Sequence, residues 1–196
     1  VGYICLIFDY RGFGESGGER GRLICMEQVE DVKNAVIYLQ QRPEVDAAKI
    51  GLIGYSLGGA NAVYAAAVDP KVRCVVEVGG FGDGERVLHR QRREWEWHQF
   101  LERVEKDRVK RVLTGESEKV GPEEIIMPDP ETATWFAEAW KLYPSMITKL
   151  PLQTAESAIN FKPEMVVDKI SPRPILFIHA EKDMLVPTSE ALCLYE

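Results

Sequence analysis

Lys49-Ile50-Gly51-Leu52-Ile53-Gly54-Tyr55-Ser56-Leu57-Gly58-Gly59-Ala60 decides the fold of this chain. An apolar, strand-like run ends at Gly54, and the small-residue stretch Gly59–Ala67 begins a helix a few residues later. The pattern Gly54-Tyr55-Ser56-Leu57-Gly58 sets a serine between two glycines at a sharp strand-to-helix turn, the arrangement of a nucleophile elbow. Both glycines are expected to be needed because side chains beside the serine would strike the neighbouring strand or helix. The serine oxygen would then stand clear of the backbone at the carboxyl end of a sheet. The Leu57 N–H, at the start of the helix, would face a developing oxyanion.

On either side of this corner, strands and helices alternate. Gly2–Phe8 is a continuous apolar run, read as a strand buried on both faces of a parallel sheet. A glycine-rich loop follows over Asp9–Gly18. Met26, Val29, Val32, Val36 and Leu39 recur at helical period, and Pro43 closes that helix. Val72–Val78 reads as a further strand ended by Gly79-Gly80, and Pro172–His179 as another, leading into Ala180–Pro187. The alternation predicts an α/β fold with a doubly wound, mostly parallel sheet.

Residues 82–165 interrupt that rhythm. Glu85–Leu113 is a charge-rich helical stretch carrying Trp95, Trp97 and Phe100. Asp129-Pro130-Glu131 opens a helix whose face holds Phe136, Ala139, Trp140 and Tyr143 before Pro144 stops it. All four tryptophans lie in this insert. They are expected to pack it as core, and a helical lid roofing an acyl pocket is compatible with that. The division expected is therefore 1–81 with 166–196 as a partial core, and 82–165 as the lid insert.

Composition narrows the function classes. Of 196 residues 45% are apolar, enough for one sizeable core, and the net charge of −7 disfavours nucleic-acid and anionic-membrane partners. The basic residues from Arg86 to Arg111 alternate with acids and read as a solvated helix face. No apolar run reaches the ~20 residues of a membrane span. Cys5, Cys25, Cys74 and Cys193 show no metal-ligand spacing, and Cys5 and Cys74 are expected as buried, reduced thiols, which suggests a cytoplasmic setting. The chain opens on Val1 inside an apolar run and stops at Glu196 inside a helix-like stretch, which reads as the interior of a longer protein, truncated at both ends.

Three segments in order, Asp9–Ser16, the Ser56 elbow, and His179-Ala180-Glu181-Lys182-Asp183 with Val186-Pro187, resemble the α/β-hydrolase superfamily, within it the serine esterases and dipeptidyl-peptidase-like hydrolases. The resemblance implies an acyl-enzyme on Ser56, with Asp183 as the acid that orients a histidine and the Leu57 N–H in the oxyanion hole. It implies a small-molecule acyl substrate, an ester, thioester or amide, and no metal or organic cofactor. The family histidine follows the acid by a further helix and strand, whereas the chain ends thirteen residues after Asp183, so the histidine is expected outside it and these residues alone are expected to be inactive.

Rival readings accompany each position. Asp83, in Gly82-Asp83-Gly84, competes with Asp183 as the acid, and Asp183 could instead be a turn-bonding aspartate. Asp9 reads as a loop-bracing residue, and His179 as packed or loop-bonded. His89 and His98 precede the acid and would break the family order. Glu77, a charge inside an apolar strand, either faces the site or lies at an edge beside Arg73. Gly12-Phe13-Gly14-Glu15-Ser16-Gly17 is formally the dinucleotide-binding pattern Gly12-Gly14-Gly17, though Gly18 and Gly21 delay the helix that should meet the pyrophosphate. A non-catalytic scaffold of hydrolase-like fold is the remaining alternative.

Overall fold

The computed structural model describes residues 2–143 and 146–196. Pro144, expected to stop a helix, and Val1 lie outside the described residues. Two compact units are present. The first holds the described residues up to Tyr10, Met26–Asp83 and Lys162–Glu196; the second holds Arg11–Cys25 and Gly84–Phe161.

The first unit is a three-stranded parallel sheet with helices between its strands. In chain order it takes in α1 (Cys25–Gln40, from Met26 on), β1 (Gly51–Tyr55), α2 (Leu57–Val68) and β2 (Cys74–Val78). Two short 3-10 turns, β5 (Ile175–Ile178) and α8 (Ser189–Tyr195) complete it. The strand order is β1-β2-β5, so β2 is central, with Gly54 opposite Glu77 and Glu77 opposite Phe177. Paired residues of a parallel ladder share a face, and that face repeats every second residue. One face therefore presents Leu52, Val75, Ile175 and Phe177, which pack with Val36 of α1, Ala62, Val63 and Ala66 of α2, and Leu194 of α8. α2 is almost wholly Ala, Gly and Val, and this lack of bulk lets its backbone lie close against the strands.

The other face presents Ile53, Tyr55, Leu176 and Ile178, all exposed, the first two by 76% and 77%. The apolar runs predicted strands covered on both sides, but only alternate residues of β1 and β5 are covered among the described residues. Cys74 belongs to this exposed face, and Cys5 is exposed too, contrary to the expectation that both thiols are buried; Cys25 is the buried one. Residues 2–8 form no strand and their side chains are exposed. Apolar composition suits a strand, but a strand exists only where a neighbour supplies hydrogen bonds, and β1, β2 and β5 pair only with one another.

The second unit is mainly helical: α3 (Gly84–Arg90), α4 (Glu94–Thr114), α5 (Pro122–Ile125), α6 (Pro130–Leu142) and α7 (Gln153–Ile159), with a two-stranded antiparallel pair of β3 (Lys119–Val120) and β4 (Leu150–Pro151). The single helix expected over Glu85–Leu113 is broken at Gln91–Arg93, where the Glu96 carboxylate accepts the Arg93 N–H and starts α4 afresh. Asp129 caps α6 by accepting the Glu131 and Thr132 N–H groups, as Asp-Pro-Glu predicts. Trp97 and Phe100 join Leu88, Val104, Ile125 and Leu152 in the core. Trp95, Trp135 and Tyr143 are exposed, so only part of the aromatic set packs as expected. Arg92 lies 3.9 Å over the Phe100 ring and donates to the Leu88, Glu124 and Ile125 carbonyls, and burial pulls its guanidinium down to about 10.

Candidate active site

Ser56 sits between the end of β1 and the first turn of α2 with φ 53° and ψ −126°, the one non-glycine residue at positive φ among the described residues. Such a conformation costs on the order of 1–3 kcal/mol in a residue with a Cβ and must be imposed by its surroundings. The surroundings are specific. The Ser56 N–H donates to the Val78 carbonyl (2.8 Å), extending the ladder, while its own carbonyl accepts the Gly59 and Ala60 N–H groups that open α2. A Cβ on Gly54 would strike the backbone of Gly58 and Gly59. A Cβ on Gly58 would meet nothing within 4 Å, so only the first motif glycine is required by space. Gly59, just past the motif, is the second tight position, facing Glu77 and the Gly54 carbonyl. Leu57 begins α2, and the leading N–H groups of a helix have no carbonyl partner within it.

Asp183 lies in the loop after β5. Its Oδ1 accepts the Leu185 (3.0 Å) and Val186 (2.8 Å) N–H groups, so the turn-bonding role is present. Its Oδ2 points elsewhere: a Cβ on Gly79, at the end of β2, would lie 3.9 Å from it and 3.8 Å from the Tyr55 ring. The carboxylate therefore stands at the carboxyl end of the sheet, beside the residue that precedes Ser56. Asp83 is committed otherwise, with Lys162 3.2 Å from its carboxylate, while its N–H and that of Gly82 donate to the buried carboxylate of Glu190.

None of the three histidines stands free as a base. His89 stacks on Trp97 (4.8 Å) and, like His98, pairs with Glu94 in the second unit. His179 is packed in the first unit with its Nε2 2.7 Å from the Val186 carbonyl, as a loop-bonded residue should be. Burial pushes the Cys25 thiol up to about 11, which leaves it a poor nucleophile.

Glu77 overturns the edge reading. It is wholly buried on the central strand, and Arg73 instead donates to the carbonyls of Asp69, Val72, Lys169 and Ile170. Its Oε1 accepts the Gly80 N–H, and burial raises its carboxyl above the usual range, opposed by that hydrogen bond and by His179. A second buried polar group, Asn61 on α2, donates to Gln28 (2.9 Å) and to the Tyr10 hydroxyl (3.4 Å). Sequence reasoning passed over Asn61, although a lone amide within an alanine-rich helix was a usable signal.

The glycine-rich loop closes on itself. Gly12 donates to the Gly17 carbonyl and accepts from Gly21, and Gly12, Gly14, Gly18 and Gly21 all have positive φ. α1 begins only at Cys25, so no helix N-terminus stands within the Gly12-Gly14-Gly17 pattern.

The family model of the alpha/beta hydrolase fold matches residues 2–195. An uncharacterized 31.7 kDa protein from the traX-finO intergenic region of Escherichia coli is 34% identical over the whole chain, which spans 68% of it. The thiohydrolase aneE of Aspergillus aculeatus is 27% identical over 215 residues, the chain covering 65% of its length. The polyketide transferase grgF of a Penicillium species is 28% identical over 203 residues. Its crystal structure superimposes with a TM-score of 0.76 at 25% identity, over 97% of this chain and 66% of that one. The chain spans about two thirds of the length of these relatives, and it belongs to the alpha/beta hydrolase family.

Proposed function

We propose that the whole protein is a serine hydrolase or acyl transferase that forms an acyl-enzyme on Ser56. The Ser56 oxygen attacks the acyl carbonyl and its proton passes to an imidazole, which Asp183 Oδ2 orients and whose positive charge it stabilises. The tetrahedral oxyanion is held by the Leu57 N–H and a second donor. Collapse expels the leaving alcohol, thiol or amine, which takes the proton back from the imidazole, and water or an acceptor nucleophile then releases the acyl group. Because His89, His98 and His179 are otherwise engaged, the imidazole is assigned to the third of the relatives' length that this chain does not span. The names thiohydrolase and polyketide transferase among the relatives favour an acyl thioester as the natural donor. The second unit, with its aromatic face on α6, is assigned the role of a lid over the acyl chain.

The observation that carries this reading is the strained Ser56 corner at the start of α2. Treating the full-length protein with a fluorophosphonate and mapping the adduct by mass spectrometry should place it on Ser56. Ser56→Ala should abolish both labelling and turnover of short acyl thioesters and aryl esters. An unlabelled Ser56, or an active alanine variant, ends the proposal.

A further inference from the structure

Among the described residues, three buried side-chain polar atoms have no hydrogen-bond partner: Asn61 Oδ1, Glu77 Oε2 and His179 Nδ1. The last two belong together. Glu77 is opposite Phe177 in the parallel ladder of β2 and β5, and His179 follows Phe177 by two residues, so both side chains project from the face that α2 covers. A charge on the His179 ring acts on the Glu77 carboxyl, which sets them within electrostatic reach.

Each group's other polar atom is already used. His179 Nε2 lies 2.7 Å from the Val186 carbonyl, and a carbonyl only accepts, so Nε2 carries a proton. Nδ1 of the neutral ring is then an acceptor in need of a donor. Glu77 Oε1 accepts the Gly80 N–H, which leaves Oε2 as an uncompensated buried anion or, when protonated, as a donor in need of an acceptor. One proton satisfies both atoms, and the pair carries no net charge whichever of them holds it. Gly59 of α2, Gly54 of β1 and Gly80 of the following turn bring backbone against the carboxyl. Asp183 Oδ2 lies 3.9 Å from Nε2.

We propose that Glu77 and His179 share a single proton between Oε2 and Nδ1, relayed by one buried water, and that this neutral pair is a positioning device for the catalytic groups. At one end Glu77 holds the Gly80 turn beneath Gly59, one turn into the elbow helix. At the other end His179 holds Val186, whose N–H in turn holds Asp183 Oδ1. The pair thus ties the backbone under Ser56 to the loop that carries Asp183. The positioning role rests on the acyl-enzyme reading; the shared proton does not.

The test uses the full-length protein labelled with 15N in its histidines. The His179 resonances are assigned from a His179→Gln sample. A ring protonated at Nε2, with a hydrogen-bonded Nδ1, is expected in the wild type and in Glu77→Gln, whose amide can donate to the relaying water while its oxygen accepts from Gly80. In Glu77→Leu the Nδ1 resonance should move to the position of a free acceptor, and kcat for an aryl ester should fall about tenfold to a hundredfold with KM little changed. Glu77→Gln should recover most of that loss. An Nδ1 resonance identical in wild type and Glu77→Leu overturns the shared proton, and an unchanged kcat in Glu77→Leu, or a Gln variant as impaired as the Leu one, overturns the positioning role. If Glu77→Leu does not fold, Glu77→Gln decides alone, since a free Nδ1 in that variant refutes the pairing. A wild type without esterase activity removes the acyl-enzyme reading, and the nitrogen resonances still judge the pair.

Discussion

In the second unit the carboxylate of Asp107 is buried and receives the Arg111 guanidinium, the Ser117 hydroxyl and the Glu118 N–H. In the first unit the carboxyl of Glu77 is buried more deeply and receives one backbone N–H. The same contrast runs through both regions. Arg103 bridges Glu118 and Glu124, and Arg111 reaches Glu156, so the charges of the helical unit neutralise one another among aromatic side chains. The sheet unit's core is rich in alanine and valine, and two of its unpartnered buried atoms, on Glu77 and His179, lie toward the carboxyl ends of β2 and β5. Saturated ion pairs are architecture, whereas half-satisfied groups beside a strained serine are what a reaction site requires.

The largest effect is expected of Asp183→Asn. The amide oxygen can still accept the Leu185 and Val186 N–H groups, so the loop should fold, yet turnover by the full-length protein should fall about 10⁴-fold. Asp83→Asn should leave it within about threefold, and an equal loss in both variants would erase the distinction between the two acids. In the other unit Asp107→Ala leaves the Glu118 N–H without its acceptor and Arg111 with Glu156 alone, and should cost about 3 kcal/mol of stability in chemical denaturation. Gly54→Ala should cost about 2 kcal/mol or more through overpacking, whereas Gly58→Ala, in open space at a helix start, should be neutral or gain about 0.5 kcal/mol. Reversal of those two effects would refute the steric account of the elbow. The smallest effect is a pH slope. Because the Glu77 carboxyl is raised, its contribution is complete below the ordinary carboxylate range and is lost as pH rises through its folded value. The stability of Glu77→Gln relative to wild type should therefore increase between pH 5 and pH 8, measured as urea midpoints.

Much of the sheet unit was legible because its signals are local. Gly54 and Ser56 announce a tight corner, the apolar period of residues 26–39 gives α1, and Asp129-Pro130-Glu131 gives the start of α6. What failed depends on partners distant in sequence. Gly2–Phe8 has strand composition without a neighbouring strand among the described residues, Cys74 lies on the exposed side of a strand whose buried side holds Glu77, and Gly58 looked indispensable until its surroundings proved empty. The split at Gln91–Arg93 was concealed because nothing there breaks a helix by composition; the Glu96 cap does. Glu77 was misplaced because an edge is the usual home of a strand carboxylate, and a central position becomes tolerable only once Gly80 and His179 are seen.

The backbone at position 56 has a consequence for how such a chain drifts over generations. Glycine would occupy φ 53° without penalty, so Ser56→Gly should make the fold sturdier by about 1 kcal/mol while removing the one hydroxyl the corner displays. Durability and chemistry thus pull this codon in opposite directions, and a lineage released from the reaction would be expected to surrender the serine early.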